Sequence, residues 1–209
     1  NGVTITASQS SLVAGYQAKL LNTETEENVV GAVIMGMGAS GIAGTDNSIA
    51  VGRFSSVEAS DAVAIGSLAK ATAKGSVAIG ANATAAETAL NGLAIGTDAT
   101  VTGESGIALG FGANSTGQNA TAVGTDAKAF GATSIALGAN ASTGSIAENS
   151  IAIGKDAKVE RANSIAIGAN ASTGSIATNS IAIGTEATAN GQNSIAFGAN
   201  SATGSTADY

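Results

Sequence analysis

The sequence predicts an all-β fold: a parallel β-roll, or two-walled solenoid, of about 12 coils with 14- to 16-residue repeats. Three observations carry that expectation. The first is a recurring unit, apolar-Ala-apolar-Gly. It appears as NSIAIG at Asn149–Gly154, Asn163–Gly168 and Asn179–Gly184, and as NSIAFG at Asn193–Gly198. The second is the period. The unit's glycines are Gly36, Gly52, Gly66, Gly80, Gly96, Gly110, Gly124, Gly138, Gly154, Gly168, Gly184 and Gly198, steps of 14 with occasional steps of 16. A fixed period of this kind marks a repeat architecture in which each unit buries its surface mainly against its neighbours. The third is a small-residue composition. Glycine makes up 29 of 209 residues, about double the usual share, while aromatics are 3% and charged residues 11%.

Each part of the unit has a local reason. In the apolar-Ala-apolar run, β-branched residues alternate with alanine, so the two kinds point to opposite sides of a short strand. The motif glycine and the Asn or Asp two residues later (Asn82, Asp98, Asp126, Asn140, Asp156, Asn170 and Asn200) mark a tight turn, because these residue types tolerate positive φ. An alanine follows, from Ala69 through Ala187, with Ser55 and Ser201 in its place in two units. It opens a second short strand, and a second turn follows near Gly75, Gly103, Gly117, Gly131 or Gly191. Two strands and two turns account for 14 residues, one coil of a flattened roll whose strands pair in parallel at about 4.8 Å. The two-residue insertions after Gly80 and Gly138 fit within a turn and leave strand parity intact, whereas a one-residue slip would flip every side chain.

Walls joined by such short turns lie close together. The expectation is that Ile and Val of one wall point inward against Ala of the other, leaving the small-residue face to pack against neighbouring chains. The core is thin, so a single roll gains from association through one wall.

The repeat covers residues 33–205. Residues 1–32 form an atypical N-terminal coil or cap with an insertion, although LVAG at Leu12–Gly15 is a degenerate version of the unit. Residues 206–209 are the end of the segment or the start of the next element.

NSIAIG in a 14-residue base period, followed by an alanine-rich second half, resembles the head repeats of trimeric autotransporter adhesins of the YadA-like type. The resemblance covers about Val33 to Ser205 and rests on twelve units in register. It implies a left-handed β-roll and a side-by-side homotrimer. It also implies display on the bacterial cell surface, anchored to the outer membrane by regions outside this segment. The implied function is a multivalent adhesin head that binds host extracellular matrix or cells, or mediates autoaggregation, with the identity of the host matrix protein or receptor left open. No stalk heptads, barrel strands or recognisable neck follow Gly204.

Candidate contact residues fall into three groups. Glu24, Glu26 and Glu27 lie in KLLNTETEENVV, Lys19–Val30, which interrupts the repeat. That stretch is either a ligand loop or a cap protecting an open sheet edge. Phe54, Phe111 and Phe130 lie in turns and offer aromatic anchors, although they do not fall on one line. Phe197 replaces an Ile of the motif and is expected at a core or interface position. Lys155, Lys158 and Arg161 are the one local basic cluster, interrupted by Asp156 and Glu160. Lys70 and Lys74 are similar isolated cations. Repeating any of them three times in a trimer adds avidity.

Composition argues against other classes. With no His and no Cys, the chain lacks the commonest general base and all thiolate chemistry. No metal, cofactor or enzymatic activity is expected. Calcium β-roll and phosphate-loop signatures are absent. A net charge of −7 with dispersed cations disfavours nucleic acid, and no apolar run is long enough for direct membrane insertion as a helix. Two rivals to the adhesin remain: a structural spacer with no ligand of its own, and an ice-binding solenoid. The latter needs a regular Thr array, yet Thr143 and Thr173 alternate with Val101, Ser115, Ala129 and Val159 at equivalent positions.

Overall fold

The computed structural model describes residues 2–5, 8–21, 29–42 and 45–204. The chain divides into two compact units, 1–105 and 106–209. In the first unit, three-residue strands at Leu12–Ala14, Val33–Met35, Ile49–Val51, Val63–Ile65, Val77–Ile79 and Leu93–Ile95 stack in parallel as one wall. Two-residue strands at Thr4–Ile5, Lys19–Leu20, Ser40–Gly41, Ser56–Val57, Lys70–Ala71, Thr84–Ala85 and Thr100–Val101 form the other. The degenerate LVAG segment thus pairs in register, Leu12 with Val33 and Ala14 with Met35. A separate parallel pair joins Ser8–Gln9 to Val29–Val30.

The second unit has the same plan. Its motif wall runs from Ile107–Leu109 through Thr121–Val123, Ile135–Leu137, Ile151–Ile153, Ile165–Ile167 and Ile181–Ile183 to Ile195–Phe197. Its second wall runs from Asn114–Ser115 through Lys128–Ala129, Ser142–Thr143, Lys158–Val159, Ser172–Thr173 and Thr188–Ala189 to Ala202–Thr203. Each unit is a parallel β-solenoid of two stacked sheets, the architecture that the period predicts.

Parity is reversed from the expectation. The motif alanines point inward and the Ile, Val and Leu point outward: Ala136 is fully buried, while its neighbours Ile135 and Leu137 are 39% and 42% exposed. The second wall meets them with alanines such as Ala127, Ala129 and Ala141 and, in its strand column, with residues up to valine size, Val57, Val101, Thr143 and Val159, all buried. The reason is wall spacing. The tight turns bring the sheets so close that a valine or threonine from the second wall leaves room only for alanine from the motif wall, and an isoleucine row facing it would overpack the interior. One coil shows the rule by its exception. Ile34 replaces the motif alanine and is buried, and Gly41 lies opposite it. A Cβ on Gly41 would stand 3.0 Å from Ile34 Cδ1 and 3.1 Å from Leu20 Cδ1.

The serine of NSIAIG is also an interior residue. Ser164 Oγ donates to the Ala177 carbonyl at 2.7 Å and accepts the Ser180 backbone N–H at 3.2 Å. Ser150 bridges the coils before it in the same way, donating to Arg161 O at 2.9 Å and accepting Ser164 N–H at 3.2 Å. These hydroxyls satisfy backbone groups where the chain leaves a turn, so a polar residue is buried at little cost.

The turns follow the expected residue chemistry. Asn82, Asp98, Asn140 and Asp156 all have φ between 56° and 59°. The motif glycine has a stricter requirement: Gly138 has φ 136°, and a Cβ there would meet the Gly154 carbonyl oxygen at 2.5 Å. The second-turn glycines divide. Gly75 has φ 66°, whereas Gly117 and Gly131 are needed for close approach, each with a following carbonyl 2.1 Å from an added Cβ. The 16-residue coils that start at Gly80, Gly138 and Gly168 absorb their insertion beside the second wall as two successive turns, with a buried alanine (Ala89, Ala147 or Ala177) between them. Strand register is unchanged: Ile135 pairs with Ile151 across 16 residues as Ile151 pairs with Ile165 across 14.

Candidate functional site

The two walls present chemically different outer faces. The motif wall projects a double row of aliphatic side chains. In the second unit one row holds Ile107, Ile135, Ile151, Ile165, Ile181 and Ile195 with Thr121, and the other holds Leu109, Val123, Leu137, Ile153, Ile167, Ile183 and Phe197. The first unit has matching rows, including Val63, Val77 and Leu93 beside Ile65, Ile79 and Ile95. Two side chains wide over seven strands, the face in the second unit has an area on the order of 300 Å². Contiguous apolar surface of that size matches the largest patch that an ordinary single chain exposes, a feature that is often functional. Phe197, 76% exposed, belongs to this face and not to a core.

The second wall is polar outside, with Ser56, Lys70 and Thr84 in the first unit and Lys128, Ser142 and Lys158 in the second. Thr143 and Thr173 are buried and face inward, so they form no outer threonine array. Within the second unit this wall carries a cleft of about 380 Å³. Phe130 and Ile146 line it as apolar walls, and Lys128, Lys158 and Glu160 surround them. The cleft arises where a wide 16-residue coil lies between two narrow ones. Its inserted turn carries Ile146 outward beside Phe130, while Gly144 leaves space between them. The floor is fixed by Thr143, whose hydroxyl accepts the Phe130 N–H at 3.2 Å and lies 2.7 Å from the Ser134 hydroxyl.

The candidate residues from the sequence are dispersed. Glu24, Glu26 and Glu27 lie outside the described residues. Phe54 sits in a first-unit turn with φ 56°, its ring 4.5 Å from the Arg53 guanidinium and over Gly38. Phe111 is exposed in a second-unit turn. The three cations occupy three different parts of their coil. Lys155 is in the first turn, paired with Asp156 at 2.7 Å. Lys158 is on the second wall, paired with Glu160 at 2.5 Å. Arg161 is at the other turn, where its Nε donates to the Ser175 carbonyl. Lys70 pairs with Glu58 at 3.2 Å. The hydrogen bond and charge of Asp156 raise the Lys155 pKa, and hydrogen bonds from Lys155 and Asn140 lower that of Asp156. Among the described candidates, Phe130 and Lys158 come together, at the cleft.

Among the described residues no group of three His, Cys, Asp or Glu could hold a metal ion, and no helix is long and apolar enough to cross a membrane. What the surfaces offer is contact, through the apolar face of the motif wall and, in the second unit, a polar wall bearing a cleft.

Segments 46–69, 58–83, 88–113, 115–141, 145–171 and 175–201 match the model of the YadA head domain repeat, which takes two repeats at a time. The chain belongs to the YadA head repeat family. Among solved structures, it is similar to the collagen-binding domain of the Yersinia adhesin YadA, at 29% identity and a TM-score of 0.48, covering 66% of each chain. No curated protein sequence matches it.

As a YadA head repeat, the chain uses its motif in both directions: Ser and Ala line the interior while the flanking aliphatics make the outer face. Sequence reasoning missed Lys128, Ser142, Ile146 and Glu160 as neighbours of Phe130. Their signal was present in two places. Phe130 stands in a column that elsewhere holds polar or small residues, among them Thr72, Thr102, Thr116, Gly144 and Glu160, and the next coil is one of the 16-residue ones.

Proposed function

We propose that this chain is the head of a trimeric surface adhesin. Three copies associate through their motif walls, and the polar second walls face outward to bind host extracellular matrix or cells, or other heads. The head is displayed on the bacterial cell surface, held to the outer membrane by regions outside this chain. The observation that carries the reading is the double row of outward Ile, Val and Leu on the motif wall, uncovered in the single chain. Burying such a row stabilises association by about 25 cal/mol for each Å² of apolar surface removed from water. Closed rotational symmetry is the usual outcome for identical chains. Membership of the YadA head family supports three as the number, and repetition of weak outward contacts supplies avidity.

Light scattering coupled to gel filtration, over a dilution series, tests this. A mass of three chains that persists on dilution is expected. A stable single-chain mass that also holds at high concentration overturns it. Binding to immobilised matrix proteins then separates an adhesin from a spacer: a spacer binds none of them, and deleting whole repeats alters only its reach.

A further inference from the structure

We infer that the cleft between Phe130 and Ile146 is a binding site for an acidic peptide segment, one that places an aliphatic or aromatic side chain beside a carboxylate. The site lies within a single chain and on the wall opposite the proposed association face, so it does not depend on the trimer.

The cleft's size and chemistry define the occupant. About 380 Å³ falls within the range of ligand pockets. Ile146 is 53% exposed, so its side chain is open to contact from solvent. The phenyl ring and the isoleucine call for an apolar body between them. The charged groups call for an anion. Lys128 and Lys158 are two strands apart in the ladder with Ser142 between them, a separation of about 10 Å that two flexible side chains can close. Lys158 is already paired with Glu160, whereas Lys128 has no ion-pair partner among the described residues. The local balance is therefore one positive charge in a chain whose net charge is −7. An extended peptide supplies both features at side-chain spacing, which a polar glycan does not.

The feature is local to one place in the unit. The next 16-residue coil repeats the inserted turn, with Ile176 in the place of Ile146 and Lys158 in that of Lys128. There, however, Glu160 stands where Phe130 stands in the first case, so the apolar wall is lost and an acid replaces it. One aromatic substitution in the repeat thus makes one site.

The test uses a short fluorescein-labelled peptide of alternating leucine and glutamate, its glutamine counterpart and a sulfated oligosaccharide, read by fluorescence anisotropy on the whole chain. The glutamate peptide is expected to bind, more weakly as salt rises. Lys128→Gln and Ile146→Ser should each weaken it about fivefold or more. Both side chains are exposed, so these variants should melt as the wild type does. Lys70→Gln, on the second wall of the first unit, should bind normally. Equal binding of the glutamine peptide, or no loss with Lys128→Gln, overturns the site. Binding of the oligosaccharide but not the peptide overturns the occupant. So does a failure of the peptide accompanied by higher oligomers that Lys128→Gln dissolves, which would make the occupant a second copy. Light scattering on the same samples scores the trimer separately, because a monomer that binds the peptide supports the cleft while overturning the proposed assembly.

Discussion

Asn140 donates from Nδ2 to Oδ1 of Asp156 at 3.0 Å, from one coil to the next, while Lys155 Nζ lies 2.7 Å from the other carboxylate oxygen of Asp156. Equivalent rungs join Asn82 to Asp98 at 2.7 Å and, at the other turn, Asn179 to Asn193 at 3.2 Å. The turn residues therefore do two things: they adopt positive φ, and their amides tie successive coils together.

The Asp156 rung should be acid-sensitive. The Lys155 and Asn140 hydrogen bonds lower the Asp156 pKa. A depressed carboxylate pKa stabilises the fold above the unfolded value, near 3.9, and that stabilisation is lost as pH falls through the folded value. Asp156→Asn keeps a residue suited to positive φ. The melting temperature of the wild type should exceed that of the variant at neutral pH, and the gap should close below about pH 3.9. A gap that persists unchanged at low pH would contradict the rung. Because the site is exposed, salt should shrink the gap as well.

Two glycines six residues apart should respond oppositely to alanine. Gly138→Ala puts a methyl 2.5 Å from the Gly154 carbonyl at φ 136°. Strain of that kind costs about 1–3 kcal/mol, and the clash adds to it. Gly144→Ala meets Glu160 O at 3.4 Å, Glu160 Cα at 3.6 Å and Val159 O at 3.7 Å, all ordinary contacts. It should be neutral or stabilising by up to about 1 kcal/mol through the unfolded chain. Urea titration of both variants gives the comparison.

Enlarging the interior should destabilise each coil. Ala166 is fully buried between the walls, so Ala166→Val should cost about 1–3 kcal/mol by overpacking. If it proves harmless in urea unfolding, the walls are farther apart than the small-residue interior requires.

Removing one serine hydroxyl should cost more than its size suggests. Ser164→Ala strips a partner from both the Ala177 carbonyl and the Ser180 N–H, an expected loss of about 1–3 kcal/mol. Hydrogen exchange at the Ser180 amide should quicken in the variant.

The outward aliphatics should matter to association and little to the single chain. Ile151→Glu places a charge on the motif wall's outer face, next to Ile135 and Ile165. Light scattering should show a drop to single chains on dilution, while far-ultraviolet circular dichroism retains its β signature.

The period, the register, the two turns and their residue types are all legible in the order of the amino acids. These are local properties: Asn, Asp and Gly at fixed offsets specify positive φ, and an unbroken 14- or 16-residue step specifies which residue pairs with which. The outward display of Phe130 and Lys158 was legible as polar or exposed character, but their meeting was not. It depends on how a two-residue insertion in the next coil displaces Ile146, a relation across 16 residues. Most of all, alternation defines two faces without saying which is inside. Ile135 and Ala136 satisfy a strand equally well with either one buried. The choice belongs to the distance between the walls. Where turns as tight as Gly138–Ala141 close both edges, the space between the sheets admits alanine from the motif wall against alanine, serine, threonine or valine from the second, and the motif wall's aliphatic rows are left facing outward.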